Sequence, residues 1–109
     1  MGMSGEKPLS REESLWLHVW EVTKRLVETR ANDRNDRRMM YEFVDTVEWF
    51  AAQNGVYLKI PVNEIVAVIP VGDINTAESL EAVKVYLKTG LVITVSKYGV
   101  TVYLDVPSE

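Results

Sequence analysis

Cysteine is absent from this chain of 109 residues, and histidine occurs once, at His18. The absence of cysteine excludes disulfides, thiolate catalysis and every metal site built on cysteine. His18 has no second histidine with which to share a metal, and its place beside the apolar stripe of a predicted helix favours a structural role. The sequence also lacks a glycine-rich phosphate loop, a G-x-S-x-G motif and a cluster of carboxylates with metal-ligand spacing. We therefore expect no enzymatic activity, no catalytic residue, no bound metal and no cofactor.

Long apolar runs are missing too. No stretch approaches the ~18 apolar residues of a membrane span, and the N-terminus lacks the apolar core of a signal peptide. An apolar content of 47% with 26% charged residues is typical of a globular domain. These features predict a cytoplasmic protein without membrane contact, folded as one domain over residues 9–107. Met1-Gly2 ahead of Met3 is typical of a vector-derived start, so residues 1–8 are expected to be disordered and tag-derived.

The first half of the chain predicts two long amphipathic helices. Ser10 begins a capping box, and apolar residues then recur at helical spacing. After a short loop, a second helix should run to about Gln53, and a helix pair joined in this way packs antiparallel. We expect the first helix to end near Arg30. The second helix should have Asp33 or Asn35 as its N-cap and Gly55 as its C-terminal stop.

After Gly55 the apolar period changes from helical to strand-like. Residues 56–62 alternate and predict a strand, and residues 91–96 with 100–106 predict a hairpin. Residues 76–89 predict a third helix, with Asn75 as its N-cap and Glu78 at the capping-box position. Residues 63–71 fit either a fourth strand or a short helix. The expected fold is therefore α+β, with two long N-terminal helices and a third helix packed on an antiparallel sheet of three or four strands.

If residues 63–71 are helical, the element order over roughly residues 38–106 resembles a winged helix-turn-helix domain. The resemblance implies a regulator of duplex DNA, with residues 76–89 as its recognition helix. The first turns of that helix would carry Glu78 and Glu81, however, and their repulsion from phosphates disfavours reading of the major groove.

Positive charge is concentrated in one segment, although the net charge of the chain is −4. Five of the six arginines fall between positions 25 and 38, and none follows Asn54. Because the planar guanidinium suits phosphates and stacks on bases, the cluster predicts a nucleic-acid-binding patch. The alternative is a solvated loop with ion pairs such as Arg38–Glu42. The arginines assigned to the patch are Arg30, Arg34, Arg37 and Arg38.

Aromatic side chains placed away from the core extend this prediction. On the second helix Tyr41 and Trp49 project beside the arginines and outside the core arc. On the predicted sheet Tyr57, Lys59 and Tyr103 share the face opposite the core, where they would form a stacking platform for unpaired bases. The alternative for Trp49 is burial against another helix. The alternative for the sheet face is that the first helix or a partner subunit covers it.

A helical first half that carries these arginines beside Tyr41 and Trp49, followed by a small antiparallel sheet, resembles the ThermoDBP family, the non-OB single-stranded DNA-binding proteins of hyperthermophilic Thermoproteales. The resemblance covers most of residues 9–106. It implies an archaeal, thermophilic protein that binds single-stranded DNA without sequence specificity, with RNA as the alternative strand. It also implies a dimerising C-terminal helix, for which this sequence has no counterpart. If the sequence is truncated before such a helix, a homodimer is expected; if the chain is a relative that lacks the helix, the resemblance does not imply a dimer.

Two other functions compete with this hypothesis. The chain could be a protein-interaction module or the small subunit of a larger assembly, presenting its arginines to an acidic partner. It could also be the winged-helix regulator described above.

Overall fold

The computed structural model describes residues 9–32 and 37–105, without the side chains at positions 30–32. In this part of the chain two helices precede four strands, and the strands form one antiparallel sheet in the order β1-β2-β3-β4. The predicted α+β class, with two N-terminal helices on a four-stranded antiparallel sheet, is confirmed. The elements are α1 (Arg11–Asn32), α2 (Arg37–Gln53), β1 (Ile65–Gly72), β2 (Leu80–Leu87), β3 (Leu91–Ser96) and β4 (Gly99–Leu104).

Local signals set the start of α1 and the end of α2 as predicted. The Glu13 backbone N–H donates to Ser10 Oγ at 3.1 Å, and the Ser10 N–H donates to Glu13 Oε1 at 3.0 Å, which completes the capping box at the start of α1. The hydrogen bond from the Ser10 backbone lowers the pKa of the Glu13 carboxyl. Gly55 follows the end of α2 with a φ of +80°, as a helix stop requires. The predicted caps of α2, Asp33 and Asn35, lie outside the described residues.

The core lies between the two helices and one face of the sheet. The apolar stripes of α1 and α2 pack on alternate residues of the strands, because every second side chain of a strand points to the same face. Two indole N–H groups tie α1 to the β1–β2 connection: Trp16 donates to the Ala77 carbonyl at 3.2 Å and Trp20 to the Ile74 carbonyl at 2.8 Å. The core residues of the sheet include Val68, Val83, Val85, Ile93 and Val95.

The predicted third helix over residues 76–89 is wrong, because Leu80–Leu87 is strand β2. Apolar residues at positions 80, 83 and 87 suggested a helical stripe, yet the same segment also alternates with period two. β2 is a central strand paired with both β1 and β3, and these two ladders determine its conformation. The segment that would form the recognition helix of a winged-helix domain is therefore a strand.

The predicted strand over residues 56–62 is also wrong. Residues 56–61 have no regular secondary structure, and Val62–Glu64 form a short 3₁₀ turn. The Ile60 N–H donates to Glu48 Oε2 at 2.7 Å in place of a strand partner. Burial nevertheless alternates as expected, with Ile60 buried and Tyr57 and Lys59 exposed. The alternation therefore reflects burial of one side of this segment. Strand β1 is formed by the segment that follows, which fitted either a strand or a short helix.

The predicted hairpin near the C-terminus is confirmed. β3 and β4 pair without a register shift from Leu91↔Leu104 to Ser96↔Gly99, so the turn consists of two residues, Lys97 and Tyr98.

A comparison of two glycine substitutions tests the β1–β2 connection. Gly72 has a φ of +94°, and a Cβ there would lie 2.6 Å from the Ser79 carbonyl oxygen, whereas Gly55 has a φ of +80° with nothing within 4 Å of a Cβ. We expect Gly55→Ala to lower the free energy of unfolding by about 1–2 kcal/mol, the cost of a left-handed conformation. Gly72→Ala should lower it by about 2–4 kcal/mol, because the backbone must also move. Equal losses in urea denaturation would contradict the close approach at Gly72.

Candidate functional site

The sheet has one face turned away from the helices. Because Val83, Val85, Ile93 and Val95 belong to the core, the residues that alternate with them along the strands point to the opposite side. The register sets these residues in two rows across β2, β3 and β4. We call this surface the open face and define it by Tyr86, Val92 and Tyr103 in one row and Lys84, Thr94 and Thr101 in the next.

Two tyrosines flank an apolar residue in the first row. Val92 lies directly opposite Tyr86 on one side and Tyr103 on the other. Neighbouring strands are ~4.8 Å apart, so the backbones of the two tyrosines are separated by about 10 Å. Val92 is only 1% exposed although it is not part of the core cluster, and the two tyrosines are its direct neighbours across the strands. Tyr103 itself is 43% exposed, so its ring remains accessible.

The second row of the open face carries the polar groups. Lys84 lies directly opposite Thr94, which lies opposite Thr101. Lys84 is the one charged residue among the six that define the open face. The Thr94 hydroxyl is buried and makes no hydrogen bond within the described residues. This row can supply a cation and the exposed Thr101 hydroxyl beside the two rings.

Only part of the predicted stacking platform is found on the open face. Tyr103 lies there, but Tyr57 and Lys59 belong to the unpaired segment before β1, so the prediction that they share a sheet face with Tyr103 is wrong. Sequence reasoning missed Tyr86 and Lys84 because it assigned them to a helix. The signal that could have found them is the strict alternation of Ala82, Lys84 and Tyr86 with valines and a leucine.

Arg37 and Tyr41, two of the predicted site residues, are brought together on the first turns of α2. The guanidinium of Arg37 lies 5.8 Å from the centre of the Tyr41 ring, and its Nη2 donates to Asn63 Oδ1 at 2.9 Å and to Tyr41 Oη at 3.5 Å. Both partners are neutral, so these contacts position the guanidinium without cancelling its charge. Asn63 just precedes Ile65, which pairs with Leu87, so this cluster lies at the same end of the sheet as Tyr86.

The rest of the predicted arginine patch is only partly described. Arg38 is exposed on α2. The side chains of Arg30 and Arg34 lie outside the described residues, so the four-arginine patch stays a prediction. Glu42, the residue expected to pair with Arg38, forms an ion pair with Arg25 of α1 at 2.6 Å.

Trp49 lies apart from both clusters. It is 38% exposed, and its ring meets His18 of α1 edge-on with 5.2 Å between the ring centres. Twelve residues separate it from Arg37, which corresponds to ~18 Å along α2. The groove around Trp49, between the two helices, also carries the Arg25–Glu42 ion pair and Asp45, whose carboxylate disfavours a phosphate there.

Within residues 9–32 and 37–105, no group of three or more His, Asp or Glu side chains is placed to hold a metal ion. Neither described helix has the length and apolarity that crossing a membrane requires. No family model, no curated protein and no solved structure matches this chain.

Proposed function

We propose that this domain binds single-stranded nucleic acid, DNA or RNA, on its open face and without sequence specificity. The observation that carries the proposal is the row in which Tyr86 and Tyr103 flank Val92, with Lys84 in the adjacent row. Unpaired bases stack on the two rings, and the ammonium group of Lys84 contacts the phosphate backbone.

The chemistry of the open face favours a single strand over a duplex. Stacking requires the flat side of a base, which is available in an unpaired strand, whereas a duplex presents only base edges in its grooves. Every base has such a flat side, so binding of this kind tolerates any sequence. The exposed Thr101 hydroxyl of the second row adds a hydrogen-bonding group that does not select one base.

Arg37 extends the interface beyond the sheet. Tyr41 and Asn63 hold its guanidinium at the end of the sheet where Tyr86 lies. A strand that stacks on Tyr86 and continues past this end meets Arg37, whose charge is not cancelled by its two neutral partners. The phosphates are therefore contacted at two points, by Lys84 on the open face and by Arg37 beside it.

Substitution of the tyrosines tests whether bases stack on their rings. Tyr103→Leu keeps an apolar side chain beside Val92 but removes the stacking surface, so it should weaken binding of oligo-dT by about 5- to 150-fold, corresponding to about 1–3 kcal/mol per stacked base. Tyr86→Leu should act in the same direction. Tyr57→Leu is the matched control, because Tyr57 is 86% exposed and lies off the open face. Fluorescence anisotropy with a labelled oligonucleotide measures all three variants.

Three results would count against the open face as the binding surface. The first is an equal loss of affinity in Tyr57→Leu. The second is binding of duplex as tightly as oligo-dT. The third is quenching of tryptophan emission on binding that Trp49→Phe abolishes, which would move the site to the helix surface. No binding of either nucleic acid at low salt would refute the function itself.

The salt dependence of binding tests the phosphate contacts of Lys84 and Arg37. Each phosphate neutralised on a single strand contributes about −0.7 to the slope of log affinity against log salt concentration, so contacts from Lys84 and Arg37 predict a slope of about −1.4. Lys84→Gln and Arg37→Gln should each flatten the slope by about half, whereas Tyr103→Leu should leave it unchanged. Lys97→Gln, which removes a lysine from the β3–β4 turn, is the control. A slope that does not respond to Lys84→Gln would contradict its assigned contact.

A further inference from the structure

β4 is an edge strand, and its own residues lack the features that usually protect an edge. From Gly99 to Leu104 it contains no charged residue and no proline, and its register with β3 is unbroken. Val102 is 48% exposed and Leu104 58% exposed, although both are on the side of the sheet that faces the core. An uncharged edge with an unbroken register is a template for pairing with another strand.

The opposite edge of the sheet is different. β1 contains Pro70, and its pairing with β2 shifts register between Ile65 and Ala67 and again between Val71 and Gly72. Proline and register irregularities both obstruct the addition of a further strand. Each chain therefore has one edge suited to pairing and one that is obstructed.

The direction of the β4 backbone shows which N–H and C=O groups can pair with a further strand. The Asp105 N–H donates to the Gly90 carbonyl at 2.8 Å, on the β3 side of the strand. Because backbone groups alternate in direction along a strand, those of Val100, Val102 and Leu104 point away from β3. Within the described residues, none of the backbone hydrogen bonds outside the helices and strands reaches these three residues.

We infer that β4 pairs antiparallel with β4 of a second copy of this chain, about a two-fold axis at Val102. This register forms about six backbone hydrogen bonds, with Val102 opposite the partner's Val102 and Leu104 opposite the partner's Val100. The exposed core-side residues of β4 thereby cover one another. Asp105 lies opposite the partner's Gly99, so the two carboxylates do not face each other.

The contrast between the edges favours a second copy arranged as a closed dimer. Pairing of β4 with β4 uses the one unobstructed edge of each chain and stops at two chains. Pairing of β4 with β1 would require the edge that carries Pro70 and would continue without limit. Because the two-fold axis is perpendicular to the sheet, the dimer has one eight-stranded sheet with both open faces on the same side. This inference does not depend on the proposed nucleic-acid function.

The mass of the full chain in solution tests the dimer. Sedimentation equilibrium should give twice the chain mass of 12.4 kDa. Val102→Lys places a charge at the axis and should give the monomer mass with an unchanged circular dichroism spectrum. Val66→Lys makes the same change at a residue of β1 that is 59% exposed, and it should leave the dimer intact. A wild-type monomer at millimolar concentration, or a dimer that survives Val102→Lys, would overturn the inference.

Cross-linking tests the register and does not depend on a destabilising charge. The chain has no cysteine, so a single introduced cysteine can form a disulfide only between two chains. Directly opposite residues of a hydrogen-bonded antiparallel pair have Cα atoms ~5.5 Å apart, within the range of a disulfide. Val102→Cys should therefore oxidise rapidly to a cross-linked dimer, at least about tenfold faster than Val66→Cys. Equal rates for the two variants would refute the pairing at Val102.

Discussion

The valine-rich faces of β2 and β3 are buried beneath α1 and α2, and the two sides of the sheet differ because of this contact. Val83, Val85 and Val95 are fully buried, and burial of each valine contributes about 1.5–3 kcal/mol. Since alternate residues of a strand point in opposite directions, burying one set turns the other set away from the helices. The positions of Lys84, Tyr86 and Tyr103 on the open face therefore follow from the packing of residues on the opposite side of the sheet.

The position of the helices also explains why part of β4 is uncovered. The indole hydrogen bonds of Trp16 and Trp20 hold α1 against the connection between β1 and β2. Val102 and Leu104 of β4 lie on the core side of the sheet and still remain half-exposed. Two helices therefore bury the central strands but leave the outer part of β4 uncovered. Strand addition at this edge would extend the sheet that carries the open face.

Segment 76–89 shows how local and long-range preferences competed. A capping box is worth about 1 kcal/mol, and its expected N-cap, Asn75, preceded residues with plausible helical spacing. As strand β2, however, the segment forms ladders on both sides and buries Leu80, Val83 and Val85 together. These interactions involve β1 and β3, whose residues lie outside segment 76–89. Tyr86 and Lys84 were missed for the same reason.

By itself, the sequence determined the features that depend on residues a few positions apart. These include the capping box at Ser10, the helix stop at Gly55, the contact between Arg37 and Tyr41 four residues apart on one helix, and the place of the hairpin turn next to Gly99. Only the tertiary structure decided that residues 80–87 form a central strand, that residues 56–61 remain unpaired, and that Tyr103 shares a face with Tyr86. Periodicity records which side of a segment is buried, whereas strand pairing depends on partners far away along the chain.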